Sequence, residues 1–148
     1  MLAPRLAAGF GTIRANFESS DAFLCWTGVA PVKKESGATQ QVHFRYARPV
    51  FLHQSVVEFA KCSIGQCAWA RLLYEQELQR GKTKWAALRK VAFKWIRILW
   101  RCWQDRQPYD EQRYLRSLRR QGIGLYAPLY DGLPALQIPT VDNSQKHA

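Results

Sequence analysis

Residues 83 to 106 read TKWAALRKVAFKWIRILWRCWQDR. Leu88, Ala92, Trp95, Leu99 and Cys102 recur at alternating steps of four and three, the spacing of one face of an α-helix. Thr83 can cap the start of this helix, and Pro108 lies just beyond its end. A helix this long with a continuous apolar stripe has to be covered by other apolar faces, so the stretch points to a mainly α fold. Its other side is charged. Lys90, Lys94, Arg97 and Arg101 follow at steps of four, three and four, and Asp105 is the only acid between Arg80 and Arg106. Solvated faces usually mix signs, because like charges one helical turn apart repel. The favoured partner for this stripe is therefore a phosphate backbone, which would position a nucleic acid without reading its sequence; a plain solvated face and an acidic protein are the alternatives. Trp85, Trp95, Trp100 and Trp103 interleave with the charges. Core packing is the expectation for Trp95, while the helical phase of Trp100 leaves it exposed, where stacking on a base or on an arginine becomes available.

Working outward from this helix, the same signals recur. Leu2 to Phe10 reads as a short helix stopped at Gly11, and Ser20 as the cap of a helix over Asp21 to Thr27 that ends at Gly28. Pro31 and Gly37 mark turns, and Gln41 to Arg48 alternates Val42, Phe44 and Tyr46 with His43, Arg45 and Arg48, the pattern of a short strand or ribbon. Pro49 fits the first turn of a helix running to near Gly65, and a further helix is expected from Gln66 to Arg80 with Gly81 as its stop. A sixth covers Asp110 to Gln121, with acids in its first turn and Arg116, Arg119 and Arg120 in its last, as the helix dipole prefers. The reading is a compact helical domain over residues 1 to 121 with one short irregular or β-ribbon insertion, then a loosely ordered tail over 122 to 148.

Composition limits what such a domain does. With 148 residues, 47% of them hydrophobic, the chain can bury a core, and a net charge of +11 implies a polyanionic partner. No run approaches the roughly 18 apolar residues of a membrane span. The opening MLAPRLAAGFGTIRANF has neither a basic start nor a continuous apolar stretch, so the expectation is a cytoplasmic protein without a membrane partner. Cys25, Cys62, Cys67 and Cys102 lack zinc-site spacing and read as small buried hydrophobes, the alternative being a metal site with His43 or His53.

One further stretch, GVAPVKKESGATQQVHFRYARP from Gly28 to Pro49, sets Ser36 beside Lys33, Lys34, Glu35 and Gly37. Serine is a weak nucleophile without a base, a metal or local positive charge. No triad is evident, and the GxSxG elbow of α/β-hydrolases is absent. Read alone, the Ser-Gly pair is a turn.

Taken together, FESSDAFLCWTGVAPVKKESG, the basic-aromatic segment, FLHQSVVEFA and RGKTKWAALRKVAFKWIRILWRCWQDRQPYDEQRYL resemble the C-terminal domain of the insertion-sequence "one-ten" transposases, the bridge-RNA-guided DEDD recombinases. The resemblance runs from about Leu2 to Leu118 and rests on the GVAP-x-x-x-x-SG element combined with the RILW helix and its following Pro-Tyr. It implies DNA transposition, with Ser36 as the catalytic nucleophile attacking a DNA phosphate. It also implies nucleic-acid contacts from Lys33, Lys34, Arg45, Arg48, Lys90, Lys94, Arg97 and Arg101, and a guide RNA as a second nucleic-acid partner. Magnesium is implied for an RNase-H-like domain bearing four acidic residues, which this chain lacks. Leu2 to Phe10 matches only the second helix of the helix-hairpin-helix that commonly opens the region, so the chain reads as truncated before the nuclease domain. It is not expected to be a complete catalyst alone. It would act with the missing N-terminal half or in a transposase oligomer. The other readings are a non-catalytic basic binding module and an inhibitor of a full-length transposase acting in trans.

Overall fold

Local signals set the helix boundaries. In the computed structural model the described residues are 2–30, 32–36, 39–43 and 49–131, with the backbone alone described from 32 to 43. The chain divides into two units, Met1–Tyr109 and Asp110–Ala148, where the sequence pattern suggests one domain continuing to Gln121.

In the first unit α1 spans Ala3–Phe10 and α2 spans Ser20–Thr27. The cap of α2 is Ser19 rather than the expected Ser20: its Oγ accepts from Ala22 N at 3.2 Å, while Ser20 already has helical geometry. Gly28 closes α2 with φ of 71°, a left-handed conformation that glycine adopts without strain. Two antiparallel strands come next, β1 over Val32–Ser36 and β2 over Thr39–His43. The ribbon starts directly after Pro31, β2 takes in the first residues of the alternating segment Gln41 to Arg48, and residues 44–48 fall outside the described residues. Beyond the ribbon are α3 over Val50–Gln66, with Pro49 at its cap, and α4 over Ala68–Gln79. Extended backbone at Cys67 separates the two, and Arg71 reaches back from α4 to donate to Ile64 O and Gly65 O, both at 3.2 Å. Those carbonyls at the end of α3 would otherwise lack partners.

The long amphipathic helix is α5, Lys84–Asp105, capped by Thr83 Oγ1 accepting from Ala86 N at 3.2 Å. It is the organising helix of this unit: α2, α3 and α4 all pack against it, and α1 lies on α3. The α1 contact is close. A Cβ at Gly9 would collide with Leu52 Cδ1. The core gathers Phe23 and Leu24 of α2, Leu52, Val56 and Ala60 of α3, Trp69, Ala70 and Leu73 of α4, and Leu88, Val91, Ala92, Trp95 and Ile96 of α5. Each large side chain taken out of water there contributes about 1.5–3 kcal/mol.

Two aromatic clusters fix the rotation of α5. Trp95 packs against Phe59, Trp69 and Tyr109, and its Nε1 donates to Ser63 Oγ at 2.7 Å. Further along, Trp103 meets Phe10, Phe17 and Phe23. The segment before α2 is tied there by Arg14 Nε, which donates to Trp103 O at 2.7 Å, and by Gln104 Nε2, which donates to Arg14 O at 3.1 Å.

In the second unit α6 spans Glu111–Arg120. Asp110 Oδ1 caps it by accepting from Gln112 N at 2.9 Å and Arg113 N at 3.2 Å. Composition alone suggests a loose tail after Gln121, yet Gly124–Tyr126 forms a helical turn that runs into α7, Ala127–Tyr130. Tyr126 is buried, which pushes its phenol up to about 12, and Tyr130 Oη donates to Ile123 O at 2.8 Å. One buried aromatic and one long-side-chain hydrogen bond order a segment that turn-forming residues alone would leave loose. Residues 132–148 lie outside the described residues. The described chain is thus mainly helical, with one two-stranded ribbon.

Candidate nucleic-acid interface

Burying the Trp95 side of α5 turns its basic residues outward. Lys90, Arg97 and Arg101 are exposed and Lys94 is half-buried. The four do not have equal surroundings. The Arg97 guanidinium lies over the Phe93 ring, 5.1 Å from its centroid, and Nη2 donates to Asp21 Oδ1 of α2. Lys94 stands between Lys90 and Arg97. Burial first, then those two cations, hold its ammonium below the usual lysine range. A bound anion would offset both effects.

Of the tryptophans, Trp95 is 2% exposed, as the apolar stripe requires. Trp100 is half-buried rather than exposed, and its Nε1 is shielded from solvent without a hydrogen-bond partner among the described residues. The exposed tryptophan of α5 is Trp85, at 70%. It continues the apolar face by phase but sits in the first turn of α5, where neighbouring helices leave it uncovered.

The β-ribbon places the Ser-Gly pair. Its register pairs Val32 with His43, Lys33 with Val42, Lys34 with Gln41, Glu35 with Gln40, and Ser36 with Thr39. Ser36 therefore occupies the last paired position of β1. Lys33 and Lys34 belong to the same strand. Arg45 and Arg48 lie outside the described residues.

Among the described residues no group of three or more His, Cys, Asp and Glu side chains could hold a metal ion. His53 Nδ1 lies 3.1 Å from Thr27 O at the end of α2, a structural contact. All four cysteines are free thiols; Cys62 is exposed and the others are half-buried, which departs from the expectation that they sit in the core. No helix of the described residues is long and apolar enough to cross a membrane.

The ribbon and the helices α1 to α4 coincide with a known family. A model described as the transposase IS116/IS110/IS902 family matches residues 1–80, more than half of the chain. The chain belongs to this family. A curated relative, the "Mini-circle putative transposase for IS117" of Streptomyces coelicolor, is 27% identical over 118 residues, 80% of this chain. The chain spans 28% of the length of that transposase. No solved structure matches. The family match ends at residue 80, just past α4, whereas the 118 residues matched to the IS117 relative take in α5 as well.

Proposed function

We propose that this chain is the nucleic-acid-binding, serine-bearing C-terminal part of an insertion-sequence transposase, working in DNA transposition. The observation that carries this reading is the α5 stripe: Lys90, Lys94 and Arg101 line one outward face with no ion pair among the described residues. Family membership supplies DNA as the natural polyanion, with a guide RNA as a second one that the same phosphate contacts would accept.

In this reading Ser36 Oγ attacks a DNA phosphorus. A phosphoserine ester forms, the bond to one strand's oxygen breaks, and that oxygen leaves with a proton. An incoming DNA hydroxyl then displaces Ser36 and rejoins the backbone, so the energy of the phosphodiester is kept. Lys33 and Lys34, on the strand that ends at Ser36, supply positive charge for the phosphate. The acidic, magnesium-holding nuclease domain comes from outside the residues described, because they hold no carboxylate cluster of that kind.

Replacing Lys90, Lys94 and Arg101 by Ala tests the binding half. Affinity for a labelled duplex should fall, and the slope of log K against log salt should flatten by about 0.9 for each phosphate no longer neutralised. Arg97 is spared because Asp21 already holds it. An unchanged slope would remove α5 from the interface. Ser36→Ala tests the chemistry: with the acidic nuclease domain supplied, the covalent protein–DNA adduct should disappear. An adduct that persists in this variant places the nucleophile elsewhere.

A further inference from the structure

In the sequence the arginines of α6 read only as partners of the helix dipole, and the structure gives them a second property. Arg113 and Arg120 lie opposite the buried Leu115 and Leu118, and Arg116 and Arg119 continue the same arc along the flank nearer Leu115. Arg113, Arg119 and Arg120 are exposed. None of the four forms an ion pair among the described residues. The nearby acids are already committed at the start of the helix, Asp110 as the cap and Glu111 in the first turn.

Arg116 differs from the other three. It is half-buried, and its Nη2 donates to Gln112 Oε1 at 3.3 Å. Its Nε, however, is shielded from solvent and has no partner among the described residues. A guanidinium donor withdrawn from water without an acceptor is unfavourable, and so is its spacing of three from Arg113 and Arg119 and four from Arg120. The like-charge cost falls when an anion binds. The residues are all arginine, whose planar fork matches the oxygens of a phosphate in pairs, which a lysine ammonium does not.

We propose that α6 carries a second phosphate-binding face, formed by Arg113, Arg116, Arg119 and Arg120, whose ligand is the sugar-phosphate backbone of a nucleic acid. The inference rests on the nucleic-acid function proposed above and extends it to the second unit. At about 1.5 Å per residue the face runs about 10 Å along the helix, long enough to meet more than one phosphate of a strand. An acidic protein segment would meet the same charges, but evenly spaced oxygen pairs are what a row of guanidinium forks recognises.

The test uses the full chain and a fluorescently labelled DNA duplex of arbitrary sequence, titrated at several salt concentrations. One variant carries Arg113→Gln, Arg119→Gln and Arg120→Gln, leaving the half-buried Arg116 in place so that folding is preserved; an unchanged denaturation midpoint checks this. A second carries the α5 substitutions Lys90→Ala, Lys94→Ala and Arg101→Ala. The α6 variant should flatten the salt slope by about 0.9 per neutralised phosphate, and so by up to about 2.7 for the three. Lysine at the same three positions should restore the slope and only part of the affinity. If the α5 variant flattens the slope and the α6 variant does not, the α6 face is refuted while the function proposed above stands. If neither does, both fall together. Loss of binding to polyglutamate with an unchanged duplex slope would also overturn the proposal, by assigning α6 to an acidic protein.

Discussion

Lys94→Met separates what α5 does for the fold from what it does for a ligand. Lys94 is half-buried with Lys90 one turn before it and Arg97 one turn after, and its pKa is held down by burial and by those two cations. Methionine keeps an unbranched stem of similar length and removes the charge. Two like-charge contacts at helical spacing, each unfavourable by about 0.2–0.5 kcal/mol, would vanish, along with part of the desolvation cost. The variant alone should therefore be more stable by about 0.5–1 kcal/mol, read as a higher urea midpoint with an unchanged slope. The pH dependence has a definite sign. The folded-state pKa lies below the unfolded value of about 10.4, so between the two the unfolded chain binds more protons and the wild type gains stability as pH rises. The gap between variant and wild type should be full at neutral pH and should shrink as pH rises through the folded pKa towards about 10.4. With duplex DNA present the order reverses: the variant binds more weakly and its salt slope is flatter by about 0.9. A variant less stable than wild type at neutral pH, or one with an unaltered salt slope, would refute the reasoning.

Two further substitutions test the frame that holds this face outward. Ser63→Ala strands the buried indole N–H of Trp95 and should cost about 2 kcal/mol. Ser55→Ala removes only a hydroxyl bonded back to Phe51 O and should cost less than about 1 kcal/mol; equal costs in urea denaturation would contradict this account of Trp95. Arg106 closes α5 at φ of 52° and is the non-glycine residue with positive φ among the described residues, so Arg106→Gly should raise stability by up to about 1 kcal/mol, and a lower denaturation midpoint would count against that.

What the sequence discloses is the part governed by local rules. The periodicity of Leu88 to Cys102 and the cap Thr83 are short-range, and α5 lies where those signals place it; α6 lies within the expected Asp110 to Gln121, with Asp110 as its cap rather than its first helical residue. The break between α3 and α4, expected at Gly65 to Gln66, falls at Cys67, and Arg71 completes it across the junction. The strand β1 is not legible, because VKKES has no alternating apolar pattern; its pairing with TQQVH depends on the register of two segments together. Asp21 and Arg97 are far apart in the chain, so the partial neutralisation of the stripe becomes visible only when α2 packs on α5. Ser36 is singled out by the family resemblance. The structure adds its position at the end of β1 and does not by itself make it a nucleophile.

The surplus of positive charge is the strongest guide to function once the cations are sorted by what holds them. Arg5 pairs with Glu58 and lies over Phe51, Arg14 bonds the end of α5, Arg71 completes the end of α3, and Arg80 pairs with Glu77. In each case the fold uses the charge or the donors. Arg97 is intermediate, since Asp21 takes one of its donors and leaves others facing solvent. Lys90, Lys94 and Arg101 on α5 and the arginines of α6 have no comparable anionic partner among the described residues. They are also spaced so that they repel one another. A face that weakens its own helix persists when something else gains from it, and under the function proposed above the polyanion that gains is nucleic acid.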